Sequence, residues 1–270
     1  MYEQNDIIDK YDNIFIKTFP DEAINDLGKT REQIVNAFSK KYDHIFMFDD
    51  DTYNFCHSVP KLRNNGWPKS QVVHNINFGK TIAMWQIAHE YAVKTHDIVF
   101  STGMHQAFCW PPENCQSERS LKLMAGVFSQ TICVNLNKLN ENSLNYRTNI
   151  NNGHEDFDLL IRCLENRLKV VEFRWFTYAA EAMKASFLND TDTLEMRFTK
   201  QQAEMKNNFG HLDYIDFKKI RGFNNVRINW RKLAKMYKNE NIIDVYDNKF
   251  FDLWRDGQLL EDAKNNYINI

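Results

Sequence analysis

Three consecutive aspartates are the residues of this chain that suggest chemistry most directly. Asp49, Asp50 and Asp51 follow an apolar run that ends at Phe48. Side chains at i and i+2 of an extended segment point the same way, so Asp49 and Asp51 can share one divalent cation. Hard carboxylate oxygens favour magnesium, manganese or calcium over zinc. The pattern indicates a metal site that serves a diphosphate, and the alternative is an acidic turn exposed to solvent.

A second pair of carboxylates, Glu155 and Asp156, precedes an apolar helical repeat. Acidic residues in the first turn of a helix complement its dipole by about 0.3–1 kcal/mol, which is the ordinary explanation. A carboxylate at a strand-to-helix junction can also face the same crevice as the metal site. There it could take a proton from an attacking hydroxyl group.

The segment from Lys218 to Lys238 contains eight basic residues and no acidic one. They are Lys218, Lys219, Arg221, Arg227, Arg231, Lys232, Lys235 and Lys238. The aromatic residues Phe223, Trp230 and Tyr237 alternate with them. Cations with aromatic rings grip a phosphate backbone and stack on bases. The alternative is an amphipathic helix whose basic face is solvated.

The elements that would position these residues alternate between strands and helices. Strands are predicted at 13–19, 45–48, 97–100, 131–136 and 170–176, and helices at 30–40, 78–94 and 155–168. Thr30 is expected to cap the first helix, and a loop is expected over 54–68. This order predicts an α/β fold with a largely parallel or mixed sheet flanked by helices. Ligands of such sheets lie beyond the carboxyl ends of the strands, where the aspartates fall.

Composition restricts the class of protein. The 270 residues are 43% hydrophobic and 26% charged, enough for a sizeable core, and the net charge of −2 does not by itself indicate a polyanionic partner. Five scattered cysteines predict reduced thiols rather than a disulfide framework. No apolar run approaches the roughly 20 residues of a membrane span, and the first residues are polar and acidic. The sequence therefore predicts a cytoplasmic protein without membrane contact.

Four segments in this order resemble the GT-A glycosyltransferases: 27–34, 45–51 with its aspartates, 153–158 with its Glu-Asp pair, and 170–176. More narrowly, the chain resembles the TET/JBP-associated glycosyltransferases, phage and eukaryotic proteins linked to sugar addition on hydroxymethylated DNA bases. The resemblance covers about residues 1–180. It implies a GT-A-like, Rossmann-like catalytic domain over 1–188. Residues 189–270 are then a mainly helical extension packed on that domain, and 218–238 is its basic segment.

The resemblance also implies roles for single residues around the donor. Asp49 and Asp51 match the metal-binding positions, and Asp49 and Asp50 lie near the donor. Arg31 matches an arginine that reaches the donor diphosphate or sugar, and His211 is one candidate for a further metal ligand. The implied cofactor is Mn²⁺ or Mg²⁺, and the implied donor is a UDP-linked sugar.

On the acceptor side, Asp156 matches the catalytic base of inverting enzymes, with Glu155 as its substitute. The implied acceptor is a hydroxymethylated pyrimidine, such as hydroxymethylcytosine, in double-stranded DNA. The DNA contacts expected from the basic segment are Lys218, Lys219, Arg221, Arg227, Arg231 and Lys232. If a bacteriophage encodes the protein, it would act in the host cytoplasm.

Three other functions fit parts of the same pattern. A GT-A enzyme acting on protein or polysaccharide would keep the metal and base residues. A non-catalytic nucleic-acid-binding module would need only the basic aromatic segment. A metal-dependent nuclease would need a second acidic strand with a matching lysine, and the sequence has no such pattern.

Overall fold

A computed structural model describes residues 27–49, 52–62, 68–73, 78–105, 121–124, 131–147, 154–180, 194–220, 223–237, 245–255 and 258–267. The strands are β1 (His44–Phe48), β2 (Thr52–Leu62), β3 (Pro68–Val73), β4 (Ile98–His105), β5 (Leu121–Met124), β6 (Thr131–Asn135), β7 (Lys169–Ala180), β8 (Ile215–Ile220), β9 (Phe223–Ile228) and β10 (Val245–Tyr246). The helices are α1 (Leu27–Phe38), α2 (Phe78–His96), α3 (Leu136–Glu141), α4 (Glu155–Glu165), α5 (Leu194–Phe209), α6 (Trp230–Met236), α7 (Asn248–Arg255) and α8 (Gln258–Tyr267).

The main sheet is mixed, and its strands follow the order β1-β6-β4-β7-β2-β3, with β5 paired to β7 and β10 paired to β5. Strands β4 and β7 pair in parallel, whereas the other pairings of this sheet are antiparallel. The predicted α/β fold with a mixed sheet flanked by helices is therefore confirmed. The sheet is not largely parallel, because only the pairing of β4 with β7 is parallel among the described strands.

Strands β1, β4 and β7 run in the same direction, because β1 and β4 are both antiparallel to β6 and β4 is parallel to β7. Their carboxyl ends lie at one edge of the sheet, which is where Asp49 follows β1. Helix α4 ends shortly before β7 begins, at the opposite edge. Its first turn therefore lies back toward the edge that carries Asp49.

Both faces of the sheet are covered by apolar side chains. Neighbouring residues of one strand belong to different clusters, as Cys133 and Val134 of β6 do. Trp85 of α2 packs on Phe176 of β7, with ring centroids 4.5 Å apart, in the cluster on one face. Val35 of α1 lies in the other cluster. Burial on both faces explains why these strands are nearly continuous runs of apolar residues.

The C-terminal part shares the core of the sheet. Buried Met205, Phe209, Leu233 and Phe250 belong to the same apolar cluster as Trp85. Strand β10 joins the main sheet through β5, and α8 packs on α2. The extension was predicted to be mainly helical, and it contains helices α5 to α8 together with the hairpin β8–β9. The basic segment is half hairpin and half helix rather than one amphipathic helix.

Two local predictions are wrong and one lies outside the described residues. Helix α1 begins at Leu27, so Thr30 lies within the helix and cannot be its cap. Strand β2 occupies most of the segment expected to be the loop 54–68. The strand expected at 13–19 falls outside the described residues.

Among the residues that are described, none of the helices has the length and apolar character that crossing a bilayer requires.

Candidate functional site

Arg31 joins two of the other residues predicted to act at the site. Its guanidinium donates from Nη1 to Oε1 of Glu155 and from Nη2 to Oδ1 of Asp49, both over 2.8 Å. The residue is only 7% exposed. Burial by itself lowers the pKa of Arg31, but the carboxylates around it raise the pKa above its ordinary value. Arg31 is therefore a permanent cation that bridges two carboxylates.

The positions of these three residues follow from the packing of their elements. Arg31 and Val35 are four residues apart on α1, so they lie on the same face of the helix. Val35 packs in the apolar cluster that also holds Leu159 and Leu160 of α4. Because α1 and α4 contribute to the same apolar cluster, Arg31 lies close to the first turn of α4. Asp49 reaches the same place because it directly follows β1.

The first turn of α4 places two adjacent carboxylates in different environments. Glu155 is buried and pairs with Arg31, whereas Asp156 is half-buried and its Oδ1 accepts a hydrogen bond from the Phe157 amide. Burial, followed by the negative charge of Glu155, raises the pKa of Asp156 to about 7, although Arg31 opposes the shift. An acid whose pKa lies near neutral pH is suited to accept a proton during catalysis. The geometry favours Asp156 over Glu155 as the candidate base, a choice that the residues alone left open.

Tyr146 is a member of this site that sequence reasoning missed. Its ring centroid lies 5.9 Å from Cζ of Arg31, within cation–π range, and the residue is fully buried. Burial raises the pKa of its hydroxyl group well above the ordinary value. This hydroxyl has no hydrogen-bond partner among the described residues. No motif surrounds Tyr146 in the sequence, so only the fold could reveal it.

The predicted metal ligands are placed only in part. Asp49 lies at the site with its side chain 26% exposed, while Asp50 and Asp51 fall outside the described residues. His211 is exposed in the turn between α5 and β8. The described residues contain no group of three His, Cys, Asp or Glu side chains that could hold a metal ion. The carboxylate of Asp49 has the hard oxygen chemistry that Mg²⁺ or Mn²⁺ prefers, so one ligand of the predicted type is present.

The predicted DNA contacts lie on the hairpin and on α6. Lys218, Lys219, Arg227, Arg231 and Lys232 are exposed, and Arg221 is outside the described residues. Helix α6 packs directly on α4, the helix that begins with Glu155 and Asp156. One end of the basic segment is therefore attached to the element that carries the candidate base.

Phe108 and Trp110, two aromatic residues of the segment after β4, lie outside the described residues. His105 ends β4, and nothing further is described of its side chain. His154 lies directly before α4, with its ring centroid 4.6 Å from that of Phe157. The described site therefore consists of Arg31, Asp49, Glu155, Asp156 and Tyr146.

Comparisons of the chain with protein-family models, with curated proteins and with solved structures found no match. Function must therefore be inferred from the residues and their contacts. Arg31, Asp49 and Glu155 are far apart in the sequence, and the fold brings them into direct contact.

Proposed function

We propose that this protein is a metal-dependent GT-A glycosyltransferase that moves a sugar from a nucleotide sugar to a hydroxymethylated pyrimidine base in DNA, with inversion at the anomeric carbon. The observation that carries the proposal is the bridge from Arg31 to both Asp49 and Glu155, with Asp156 beside it. A permanent cation between two acidic elements, next to a carboxyl group that titrates near neutrality, is an arrangement more typical of catalytic sites than of surface ion pairs.

Asp49 belongs to the donor side of this reaction. A divalent cation held by Asp49, and by Asp51 as the sequence predicts, would stabilise the negative charge that develops on the departing nucleoside diphosphate. Arg31 keeps the Asp49 carboxylate fixed through its bond to Oδ1. Because both Nη atoms of Arg31 are engaged by carboxylates, its role in this proposal is to position Asp49 and Glu155 rather than to hold the donor.

Asp156 belongs to the acceptor side. The hydroxyl oxygen of the base forms a bond to the anomeric carbon as the bond from that carbon to the diphosphate oxygen breaks. Asp156 accepts the hydroxyl proton, and the nucleoside diphosphate leaves with the bonding electrons. Glu155 and Arg31 act on this step indirectly, because the charge of Glu155 raises the pKa of Asp156 while that of Arg31 lowers it. Together they adjust the base to a pKa near the working pH.

DNA is the acceptor that the distribution of charge favours. The exposed cations Arg231 and Lys232 follow Trp230, which packs on Phe157 in the turn after Asp156. A phosphate backbone held by this helix would run close to the candidate base. Because the net charge of the chain is −2, attraction of a polyanion would depend on this local concentration of cations.

The proposal can be tested by incubating the protein with Mn²⁺, a panel of nucleotide sugars and duplex DNA that contains hydroxymethylcytosine, followed by nucleoside mass spectrometry. We expect one donor to add the mass of one sugar residue to the modified base. Replacing Asp156 by Asn should lower the rate by about 10²–10⁴-fold, the usual contribution of a general base.

Asp97→Asn is the matched control, because Asp97 is exposed, precedes β4 at the opposite edge of the sheet and has a φ of 56° that asparagine tolerates. It should keep the wild-type rate. Transfer to protein or polysaccharide but not to DNA would refute the proposed acceptor. Binding of DNA without transfer from any donor would refute the enzyme and favour a nucleic-acid-binding module.

A further inference from the structure

We infer that Arg147 binds the diphosphate of the donor through its guanidinium group. The inference rests on the proposed function for the identity of this ligand, and it adds a cation that Arg31 does not supply. Arg31 is buried, and both of its Nη atoms pair with carboxylates. The side chain of Arg147 is 40% exposed, so a ligand in solution can reach it.

The backbone next to Arg147 is held by both helices of the site. The Tyr146 amide donates to Oε2 of Glu32 on α1 over 2.8 Å. The Asn145 carbonyl accepts a hydrogen bond from Nη2 of Arg162 on α4 over 2.5 Å. Arg147 therefore follows a segment that is fixed to α1 and to α4. A guanidinium that extends from a fixed backbone loses less conformational freedom when it binds a ligand.

The contact of Arg147 with α4 is an ion pair without a directed hydrogen bond. Nη1 lies 3.2 Å from Oδ1 of Asp158, yet this oxygen has no hydrogen-bond partner among the described residues. Arg147 makes no further hydrogen bond or ion pair within the part of the chain that the structure describes. A partly exposed ion pair of this kind contributes little to stability. The N–H groups of Arg147 are therefore available to a second anion.

The charges next to Arg147 favour an anionic ligand. Asp158 is fully buried, and its Oδ2 lies 2.9 Å from Nε and 2.7 Å from Nη2 of Arg162. Arg162 is itself buried, so it neutralises Asp158 without being accessible to a ligand. Arg147 is the second cation beside a single carboxylate. Two arginines and one aspartate leave this group with one positive charge in excess, and that charge lies on the exposed side chain.

The position of Asp158 places Arg147 on the donor side of α4. Asp158 follows Glu155 by three residues, so the two side chains are neighbours on the helix, with Cβ atoms about 5–6 Å apart. Glu155 pairs with Arg31, and Arg31 pairs with Asp49. A planar guanidinium binds two phosphate oxygens at once. Arg147 would therefore share the charge of the diphosphate with the cation proposed at Asp49.

The test measures binding of inorganic pyrophosphate by isothermal titration calorimetry in EDTA, where no metal bound to Asp49 can contribute. The change is Arg147→Gln, which removes the exposed charge while Arg162 still neutralises Asp158. The matched control is Arg167→Gln, which removes the same charge from an exposed arginine beyond the other end of α4. Arg147→Lys keeps the charge and removes the planar fork.

We expect Arg147→Gln to weaken pyrophosphate binding by about tenfold or more, because it loses hydrogen bonds between charged groups. Arg147→Lys should lose part of the affinity, and Arg167→Gln should keep the wild-type affinity. Equal losses in Arg147→Gln and Arg167→Gln would show a general effect of charge and overturn the inference. Unchanged binding in Arg147→Gln, or no binding by the wild-type protein, would also overturn it.

DNA is a second source of phosphate groups, and a separate measurement distinguishes it from the donor. Binding of a labelled duplex is followed by fluorescence anisotropy without nucleotide sugar. Arg147→Gln should leave this affinity unchanged, whereas the double change Lys232→Ala with Lys235→Ala should weaken it and reduce its dependence on salt. If Arg147→Gln weakens binding of DNA and leaves binding of pyrophosphate unchanged, Arg147 contacts the acceptor and the inference is wrong.

The result is distinguishable from failure of the proposed function. If no nucleotide sugar is a donor but Arg147→Gln loses pyrophosphate binding, the phosphate contact stands while the transferase does not. If transfer occurs and the KM for the nucleotide sugar is unchanged in Arg147→Gln, Arg147 alone is overturned. Thermal unfolding should show that Arg147→Gln and Arg147→Lys are folded. If only the lysine variant is folded, its loss of affinity relative to the wild-type protein decides the test.

Discussion

Arg31 and Glu155 form a buried ion pair, with Nη1 and Oε1 2.8 Å apart, although 124 residues separate them in the chain. The pair ties α1 to the first turn of α4 at the edge of the sheet where β1 ends. The second Nη atom of Arg31 extends the same contact to Asp49. A single guanidinium therefore fixes the relative positions of the two acidic segments of the candidate site.

Removing this guanidinium should destabilise the protein strongly. Replacing Arg31 by Met removes the cation that pairs with the buried carboxylate of Glu155, and breaking a buried ion pair in this way typically costs about 3–5 kcal/mol of unfolding free energy. Adding Glu155→Gln removes the negative charge of the pair as well, so the double variant should be more stable than the sum of the two single changes predicts. Urea unfolding of the four proteins in this cycle measures the coupling between the two residues. If the changes in unfolding free energy are strictly additive, the interaction between Arg31 and Glu155 does not stabilise the protein.

The proposed transferase activity should depend on the ionisation of Asp156. Its carboxyl group, with a pKa of about 7, must be deprotonated to accept the hydroxyl proton. We expect kcat/KM for transfer to fall about tenfold per pH unit as the pH drops below about 7 and to level off above it. Asp97→Asn should show the same profile. A plateau that extends down to pH 5 would exclude Asp156 as the titrating base.

Deprotonation of Asp156, which the proposed activity requires, should lower the stability of the folded protein. Because the folded protein raises the pKa of Asp156 above its usual 3.8, it binds this proton more tightly than the unfolded chain does. The contribution to stability is present below about pH 4 and is lost as the pH rises to about 7. Asp156→Asn should therefore stabilise the protein at pH 8 by roughly 1–3 kcal/mol and have a smaller effect at pH 4. Equal effects at both pH values would contradict the raised pKa.

Acid should destabilise the protein through His89. Its Nδ1 lies 2.7 Å from Oγ of Ser101 and its Nε2 lies 3.2 Å from Nδ1 of His44. Burial, together with His44, lowers the pKa of His89 to about 3. The unfolded chain binds this proton first, so stability is complete above about pH 6.5 and is lost as the pH falls toward 3, by up to about 1.4 kcal/mol per pH unit.

Replacing His89 by Gln, which does not titrate, should reduce this slope when unfolding free energy is measured between pH 4 and pH 7. His211→Gln is the control, since His211 is exposed and lies in the turn after α5. If the His89→Gln slope equals that of the wild-type protein, another group must be responsible for the acid sensitivity.

Glycine is required where β4 and β7 meet. A Cβ atom on Gly103 would lie 2.2 Å from Cδ1 of Phe176, a distance that real Cβ atoms essentially never show. Gly103→Ala must displace a fully buried ring that also packs on Trp85, so it should cost about 1–3 kcal/mol. Thermal unfolding of Gly103→Ala, and of Gly103→Ala with Phe176→Leu, tests the contact. The second change should recover part of the lost stability if the clash is the cause.

Several elements could be predicted from the sequence because their apolar patterns are long or fully buried. Helix α2, helix α4 and strands β1, β6 and β7 lie close to their predicted positions. Asp49 and Glu155 were predicted as site residues because they lie at the ends of a strand and a helix, whereas Arg31 was implied only by the resemblance to the GT-A glycosyltransferases. Neither source predicted the contacts among them.

Other features depended on contacts that no local pattern encodes. The burial of Arg31 is compensated by carboxylates from two other segments, and no local pattern around Arg31 indicates these contacts. Strand β2 contains polar residues and a proline, and its pairing with β3 and β7 decides its conformation. Tyr146 has no partner near it in the sequence, and it joins the site only because Arg31 lies over its ring.

The most direct test of the central claim is calorimetric titration of the protein with nucleotide sugars in the presence and absence of Mn²⁺. The account predicts that one nucleotide sugar binds saturably, that binding requires the metal, and that Asp49→Asn abolishes it while Asp97→Asn does not. Thermal unfolding shows whether Asp49→Asn remains folded. Asp156→Asn should bind the donor normally and still fail to transfer the sugar. Binding that is equally strong in Asp49→Asn, or no binding of any nucleotide sugar by the wild-type protein, would contradict the account.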